Sequence, residues 1–554
     1  MRRSDDGWHA LDIADVGAGT LYRFILEDGA VVPDPASRYQ PLDVHGPSEV
    51  VDPHAYRWNC TAWAGRPWAE MVIYELHMGT FTEAGTFRAA IEKLDHLKAI
   101  GITAIQVMPV ADFPGTRNWG YDGVLPYAPD SSYGHPDDLR ALVDEAHTRS
   151  ISVFLDVVYN HLGPDGNYLP LYAPIFTDRH SSPWGAGVNF DAEGSSVVRD
   201  FFIENAIYWL KAFRMDGLRF DAVHAIKDDS NEHFLDELSR RVREETKGRH
   251  IHLIVENEEN EASLLERTPD GKLLRFNAQW NDDIHHVLHV AATGEHIGYY
   301  GDYADDLEKL AKALAEGFVF QGEVMPFRRT PRGEPSAHLP PTAFIAFIQN
   351  HDQIGNRAHG DRLLTSIDPL RLRALVATYL LAPQIPMLFM GEEWGSSEPF
   401  PFFCDFDEKL NAIVREGRKS ELARMPGFDG DAEDVPDPTR PETFLSAKLQ
   451  WEKRDTLEGA AWLAFYKTLV ELRRIRVQPL LDSLGTRPAE HEVRGGLVRV
   501  TWFTGDGRKL TLLANFSDGE APIEVPPKAN IFYPLDSVPM GQLAPWGVLW
   551  FTET

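Results

Sequence analysis

The chain has 554 residues, 43% hydrophobic and 25% charged, which supplies a sizeable core and excludes disordered, collagenous and coiled-coil classes. Lys plus Arg number 54 against 84 Asp plus Glu, a formal charge of −30. Such a protein repels phosphate backbones and anionic membranes, so no nucleic acid and no membrane are expected as partners, whereas a neutral substrate carries no penalty.

Residues 1–50 read as short extended segments. LYRFIL (Leu21–Leu26) is strand-like and is followed by the turn Glu27-Asp28-Gly29. From about residue 70, strands alternate with helices. The predicted strands are VIYEL (Val72–Leu76), TAIQVMPV (Thr103–Val110), ISVFLDVVY (Ile151–Tyr159), GLRFDAV (Gly217–Val223), HLIVE (His252–Glu256), AFIAFIQN (Ala343–Asn350) and IPMLFM (Ile385–Met390), with an irregular stretch holding QWND between the fifth and sixth. Helical spacing falls at Pro136–Ser150, Val197–Phe213, Asn231–Glu245, Asp305–Ala315 and Leu370–Leu381. About eight strands alternating with helices predict a (β/α)₈ TIM barrel of the α/β class. LVRVTWF (Leu497–Phe503) and KLTLLANF (Lys509–Phe516), joined by GDG, predict an antiparallel hairpin. Three units follow: a partial N-terminal β-sandwich domain at 1–55, a barrel at 56–480 with insertions at about 161–195 and 398–452, and a C-terminal antiparallel β domain at 481–554.

Cys60 and Cys404 are too few for a disulfide scaffold and are expected as buried free thiols. The N-terminus lacks the apolar run of a signal peptide, and the longest apolar stretch, Leu375–Met390, is broken by Pro383, Gln384 and Pro386. A cytoplasmic protein is expected, with monomer and homodimer left open.

In a barrel of this kind the active site lies at the C-terminal ends of the strands. Polar residues stand there after four apolar runs: Asp156, Asn160 and His161; Arg219 and Asp221; Glu256; His351 and Asp352. For any one of them alone, a structural ion pair with Arg219, His161 or His351 is an open alternative. All of them at one barrel mouth read as glycoside hydrolysis, which in its retaining form needs an ionised nucleophile and a protonated acid about 5–5.5 Å apart. Arg219, two residues before Asp221, supplies the cation that keeps a nucleophile ionised. Glu256 ends an apolar strand, where desolvation favours an acid. Asp352 is free to support an oxocarbenium-like transition state.

DVVYNH (Asp156–His161), GLRFDAVH (Gly217–His224), the strand ending in Glu256, and FIQNHDQ (Phe347–Gln353) resemble the four motifs of the α-amylase superfamily, in that order. The resemblance implies Asp221 as nucleophile, Glu256 as general acid/base and Asp352 as transition-state stabiliser. It also implies Arg219, His161, His351 and Asp156 around the sugar, with Tyr121 of NWGYDG as an aromatic platform. QWNDDIHHVLHVAATGEHIGYYGDY (Gln279–Tyr303) and MGEEWGSSEPFPFFCDFDEKLNAIVREGRKSE (Met390–Glu421) resemble the maltooligosyltrehalose trehalohydrolase family more narrowly. That implies maltooligosyltrehalose or related α-glucan oligosaccharides as substrate and trehalose as product; a branching or debranching enzyme is the alternative. Asp282, Asp283, His285, His286 and Glu393 read as exposed polar candidates for either a sugar contact or an ordinary structural hydrogen bond, and Trp184 and Trp280 as aromatic platforms or core. The family usually opens with a complete β-sandwich, and this chain is expected to begin partway through it, near Trp8. Asn160 stands where many amylases bind calcium, but the loop after it is short; neither a metal nor any other cofactor is expected.

Overall fold

The barrel wall is made of eight short strands whose side chains alternate between two environments. In the computed structural model, which describes residues 1–4, 8–182, 185–304, 306–422, 435–485, 487–535 and 541–553, these strands close in parallel. They are β1 (Ile73–Leu76), β2 (Ala104–Val107), β3 (Ser152–Val157), β4 (Gly217–Phe220), β5 (His252–Val255), β6 (Ala278–Trp280), β7 (Phe344–Ala346) and β8 (Ile385–Phe389), with β8 pairing back onto β1.

Each strand is buried on both faces, so it reads as a nearly continuous apolar run rather than a clean alternation. The period of two still separates the faces. Ile73, Ala104, Phe154, Ile254, Ala278, Trp280, Ile345, Phe347, Ile385 and Met387 pack together inside the barrel. Tyr74, Ile105, Val153, Leu155, Leu218, Phe220, Leu253 and Val255 pack outward against the helices. At Gly217 a methyl group would stand 2.8 Å from Phe154 Cδ1 and 2.5 Å from the His252 carbonyl, so only glycine lets β4 pass that ring.

Helices α1 (Leu94–Ile100), α2 (Pro136–Thr148), α3 (Ser195–Ala212), α4 (Phe234–Glu245), α5 (Asp282–Thr293), α6 (Leu307–Glu316), α7 (Pro369–Leu381) and α8 (Leu457–Leu472) surround the wall. The start of α2 shows why a helix begins there. Pro136 occupies the first turn, where its missing N–H costs nothing. The His135 ring accepts from the Asp137 N–H, and the Asp138 carboxylate accepts from the His135 N–H.

Two expectations are corrected. The QWND stretch is not wholly irregular, because Ala278–Trp280 forms β6; three residues are too few to show a period. LYRFIL is not one strand, because Leu21–Tyr22 pairs with Ser48–Glu49 while Phe24–Ile25 pairs with Val31–Val32. Among the described residues up to 50, the strands pair only two by two. They lean on the loop after β3: the Tyr172 hydroxyl donates to the Pro33 carbonyl, and its ring meets Phe24 edge-on. Cys404 is buried and Cys60 half-buried, and both are free. No helix among the described residues is long and apolar enough to cross a membrane.

The C-terminal unit is a five-stranded antiparallel sheet: β9 (Glu490–Arg494), β10 (Leu497–Phe503), β11 (Lys509–Asn515), β12 (Asn530–Tyr533) and β13 (Val548–Glu553), in the order β9-β10-β11-β13-β12. Trp550 anchors it to the barrel. Its ring is fully buried and stacks on Trp502 at 5.7 Å, and its indole N–H donates to the Ala377 carbonyl of α7. Trp550→Ala is expected to cost about 3–5 kcal/mol. Calorimetry should show the earliest unfolding transition moving to lower temperature; an unmoved transition would deny Trp550 the anchoring role.

Candidate active site

The inward side of the wall ends in polar groups. Two residues beyond Phe154 stands Asp156, two beyond Gly217 stands Arg219, two beyond Ile254 stands Glu256, and two beyond Ile73 stands Glu75. The pleat therefore delivers them all into the mouth. Register then pairs them: Asp156 lies opposite Arg219, and Arg219 opposite Ile254.

Arg219 is wholly buried and forms the centre. Its Nη1 donates to Asp156 at 2.9 and 2.8 Å and to Asp221 Oδ1 at 2.8 Å. Its Nη2 donates to Glu256 Oε2 at 2.7 Å. The guanidinium carbon lies 4.2 Å from the Trp280 ring centre and 5.9 Å from that of Tyr121. Beyond β4 the chain turns through Ala222 at φ 39°, a strained conformation for a side-chain-bearing residue. That turn aims the Ala222 N–H at Glu256 Oε2, 2.9 Å away. Asn160 donates to Asp221 Oδ2 at 2.7 Å, and its own carbonyl oxygen meets His161. The His161 Nε2 lies 2.9 Å from the Tyr121 carbonyl.

A second cluster faces the first. Asn350 caps the short helix His351–Gly355, which places His351 and Asp352 at the mouth. The His351 Nδ1 donates to Glu75 Oε1 at 2.7 Å, and its Nε2 lies 3.3 Å from Asp352 Oδ2. Burial alone lowers the His351 pKa, but the carboxylates of Asp352 and Glu75 outweigh it and raise it to about 9. Burial raises Asp352, as does Glu256, against the pull of His351. Burial also pushes Asp156 up to about 8, Arg219 opposing and Asp221 reinforcing the shift. Three carboxylates share one guanidinium here, so a retained proton on one of them relieves the excess negative charge.

The sequence expectations divide. Asp156, His161, Arg219, Asp221, Glu256, His351 and Asp352 converge, and so does Tyr121. Its half-buried ring stacks on His351 at 5.1 Å, and its hydroxyl donates to Asp156 at 2.8 Å. Trp280 is 1% exposed and lies beneath Arg219, so it is core and cannot stack on a sugar. Trp184 lies outside the described residues.

Asp283, His285, His286 and Glu393 are buried, contrary to their expected exposure. Asp283 accepts from Arg332, Tyr303, Asn260 and the Val319 N–H, which leaves no lone pair for a sugar hydroxyl. Glu393 is held by His96 and Tyr74. The His285 ring meets the Ile348 carbonyl and Tyr300, and His286 packs against Tyr303. Asp282, on the first turn of α5, is half-buried; burial raises its pKa to about 8, with Glu256 and Asp352 adding to the rise. It therefore shares the field of the mouth.

Sequence reasoning missed Glu75, the partner of His351, although a lone carboxylate inside the apolar run VIYEL was a visible signal. Among the described residues, His180, Asp191 and Asp229 form the one grouping of three metal-ligating types, away from the mouth residues named above; Arg179 already reaches both of its carboxylates.

The raised His351 pKa has a testable sign. A group whose folded pKa lies above its ordinary 6.5 contributes stability that is complete below that value and is lost as pH climbs through about 9. Glu75→Gln removes one of the two raising charges, so the loss should still begin near 6.5 but be smaller and finish at lower pH. Thermal midpoints between pH 6 and 10 are the measurement, and superimposable profiles would separate Glu75 from His351 titration.

Comparison with known proteins places this geometry in a family. Residues 68–170 match the family model described as alpha amylase, catalytic domain, and residues 487–550 match a domain of unknown function, DUF3459. A malto-oligosyltrehalose trehalohydrolase from Saccharolobus solfataricus is 42% identical over 86% of this chain and 81% of its own length. That from Deinococcus radiodurans is 43% identical over 92% and 83%, and that from Rhizobium sp. (strain M-11) 41% over 97% and 89%. A 1,4-alpha-glucan branching enzyme from Bacillus cereus is more distant, 30% identical over 74% of this chain. The crystal structure of a Salmonella typhimurium protein provisionally assigned as an alpha amylase superposes with a TM-score of 0.95 at 48% identity, covering 100% of this chain and 94% of that one. A pullulanase from Anoxybacillus, at 18% identity and TM-score 0.65, shares the fold alone. On this similarity, and with the buried arginine–carboxylate centre at the barrel mouth, the chain belongs to the malto-oligosyltrehalose trehalohydrolase family of glycoside hydrolases.

Proposed function

We propose that the protein cleaves the α-1,4-glucosidic bond next to the terminal trehalose unit of maltooligosyltrehalose, with retention, releasing trehalose and a maltooligosaccharide. The observation that carries the chemistry is the bridging of Asp221 and Glu256 by one buried guanidinium. Arg219 and Asn160 each hold one oxygen of Asp221, which fixes the carboxylate that a retaining mechanism uses as nucleophile. Glu256 gives Oε2 to Arg219 and Ala222, which leaves Oε1 for the acid proton.

In the first step the Asp221 carboxylate bonds to the anomeric carbon. The bond from that carbon to the leaving trehalose oxygen breaks, and the Glu256 proton passes to that oxygen. In the second step Glu256 takes a proton from water. The water oxygen bonds to the anomeric carbon, and the bond to Asp221 breaks. Asp352, beside His351, accepts sugar hydroxyls and stabilises the positive charge that develops at the ring. Asp156 and Tyr121 fix Arg219 and the floor of the subsite.

The substrate follows from the names of the relatives. The branching reading shares the first step and differs in the acceptor, a glucan hydroxyl in place of water.

The test is a product assay. Incubation with maltotriosyltrehalose should release trehalose and maltotriose, while maltopentaose remains nearly untouched. Equal cutting of both, or new α-1,6 bonds without trehalose, would refute the trehalose specificity. Asp221→Asn should lower turnover by several orders of magnitude with an unchanged far-UV spectrum. An unaffected rate would remove Asp221 from the nucleophile role.

A further inference from the structure

A hairpin delivers Tyr121 to the mouth, and its base holds carboxylates that have no counter-charge. The strand Ala111–Asp112 pairs antiparallel with Leu125–Pro129, and the intervening loop carries Asn118–Gly123. The turn into Tyr121 is tight. At Gly120 (φ 104°) a methyl group would stand 2.1 Å from the Pro109 carbonyl. At the open end of the hairpin the Asp130 N–H donates to the Val110 carbonyl at 2.8 Å. Asp130 Oδ2 reaches back across the hairpin to the Phe113 N–H at 3.3 Å, which sets its carboxylate beside Asp112. Asp43, from the N-terminal segment, approaches the same stretch by accepting from the Gly115 N–H at 3.0 Å.

Asp112 is 1% exposed, and both of its carboxylate oxygens are buried without a hydrogen-bond donor. The Ser131 N–H lies near it but makes no bond of good geometry. Asp130 is 2% exposed and takes only uncharged donors: Ser132 through its hydroxyl and N–H, and the Phe113 N–H. Among the described residues no Lys, Arg or His pairs with Asp43, Asp112 or Asp130. Native proteins rarely leave a buried carboxylate with neither donor nor cation, because the desolvation cost is several kcal/mol per ion. In keeping with that cost, burial and the neighbouring carboxylates push Asp112 well above the ordinary carboxylate range, and burial raises Asp130.

We propose that Asp112 and Asp130 hold a hard divalent cation of the calcium class that clamps the base of the Tyr121 hairpin. Two facing carboxylates match a divalent charge, and an all-oxygen donor set selects calcium or magnesium over softer metals. The ion is structural. It lies behind the loop rather than at the reacting atoms, and the hydrolytic steps do not pass through it. Its effect is on the loop: with the base clamped, the Tyr121 hydroxyl stays on Asp156 and the ring stays on His351. Asp43 adds a third negative charge that deepens the local potential.

The competing occupant is a proton shared between the two carboxyls, and the experiment separates the two. Full-length protein is purified in metal-depleted buffer, supplied with calcium chloride, passed through a desalting column and analysed by mass spectrometry for calcium and magnesium. Roughly one equivalent of divalent ion per chain should be retained, and calcium should raise the thermal midpoint above that in chelator. Asp112→Asn and Asp130→Asn should each lose both the ion and the calcium-dependent rise, whereas Asp191→Asn, in the His180 group, should keep both. Wild-type protein that retains no ion, and melts alike in calcium and in chelator, overturns the cation and leaves the shared proton. Retention by both Asp112→Asn and Asp130→Asn, with loss in Asp191→Asn, overturns it by moving the site elsewhere. The wild-type arm decides the matter even where a variant fails to fold.

Discussion

A guanidinium sealed inside a barrel is the constraint around which the rest of this mouth is built. Arg219 is inaccessible to water, so its charge must be met by protein. Asp156, Asp221 and Glu256 meet it from three consecutive strands or their ends, and Trp280 offers its ring from below. None of these partners is interchangeable. Asp156 is set by the β3–β4 register, Glu256 by the β4–β5 register and Asp221 by the strained turn at Ala222. Removal of one carboxylate does not only delete a function; it leaves a buried charge partly unpaired and loosens the others. Reactive geometry and local stability are thus one arrangement, and burial, reinforced by Asp221 against the pull of Arg219, pushes Asp156 towards a proton.

The outer layer carries less of this burden. Asp283 with Arg332, and Glu393 with His96 and Tyr74, are further buried charge clusters, but they tie helices and loops to the wall instead of facing the mouth. The C-terminal sheet is keyed to α7 through Trp550, and the N-terminal strands rest on the long loop after β3. Relatives with 41–43% identity over most of the chain keep the family, while pullulanase at 18% keeps only the frame.

What the sequence made legible is what periodicity and charge can encode. Polar residues two places beyond inward apolar ones mark strand ends at the mouth, and Asp156, Arg219 and Glu256 obey that rule. The barrel followed from the alternation of elements. β6 was hidden because three residues span less than two periods. Asp282 and Asp283 are neighbours on a helix, about 100° apart around its axis, so adjacency says nothing about which one faces the mouth. Only the packing of Arg332 and Tyr303 against Asp283 settles that. Trp280 reads as platform or core, since a sequence cannot tell a ring on a sugar from a ring on an arginine; its packing beneath Arg219 makes it core. Glu75 was overlooked because it sits in a strand otherwise legible as core.

The contact between Glu75 and His351 has a consequence for how the molecule comes into being. The two residues stand 276 positions apart, on the first strand and just past the seventh. They meet only when β8 has paired with β1 and the ring of strands is complete. A chain with an open seam can hold the Arg219 cluster, which spans β3 to β5, yet it lacks the histidine–carboxylate half of the mouth. Contacts between such distant segments form slowly. The full set of mouth residues therefore marks closure of the ring rather than formation of its parts, because one half comes from β3 to β5 and the other from the seam where β8 meets β1.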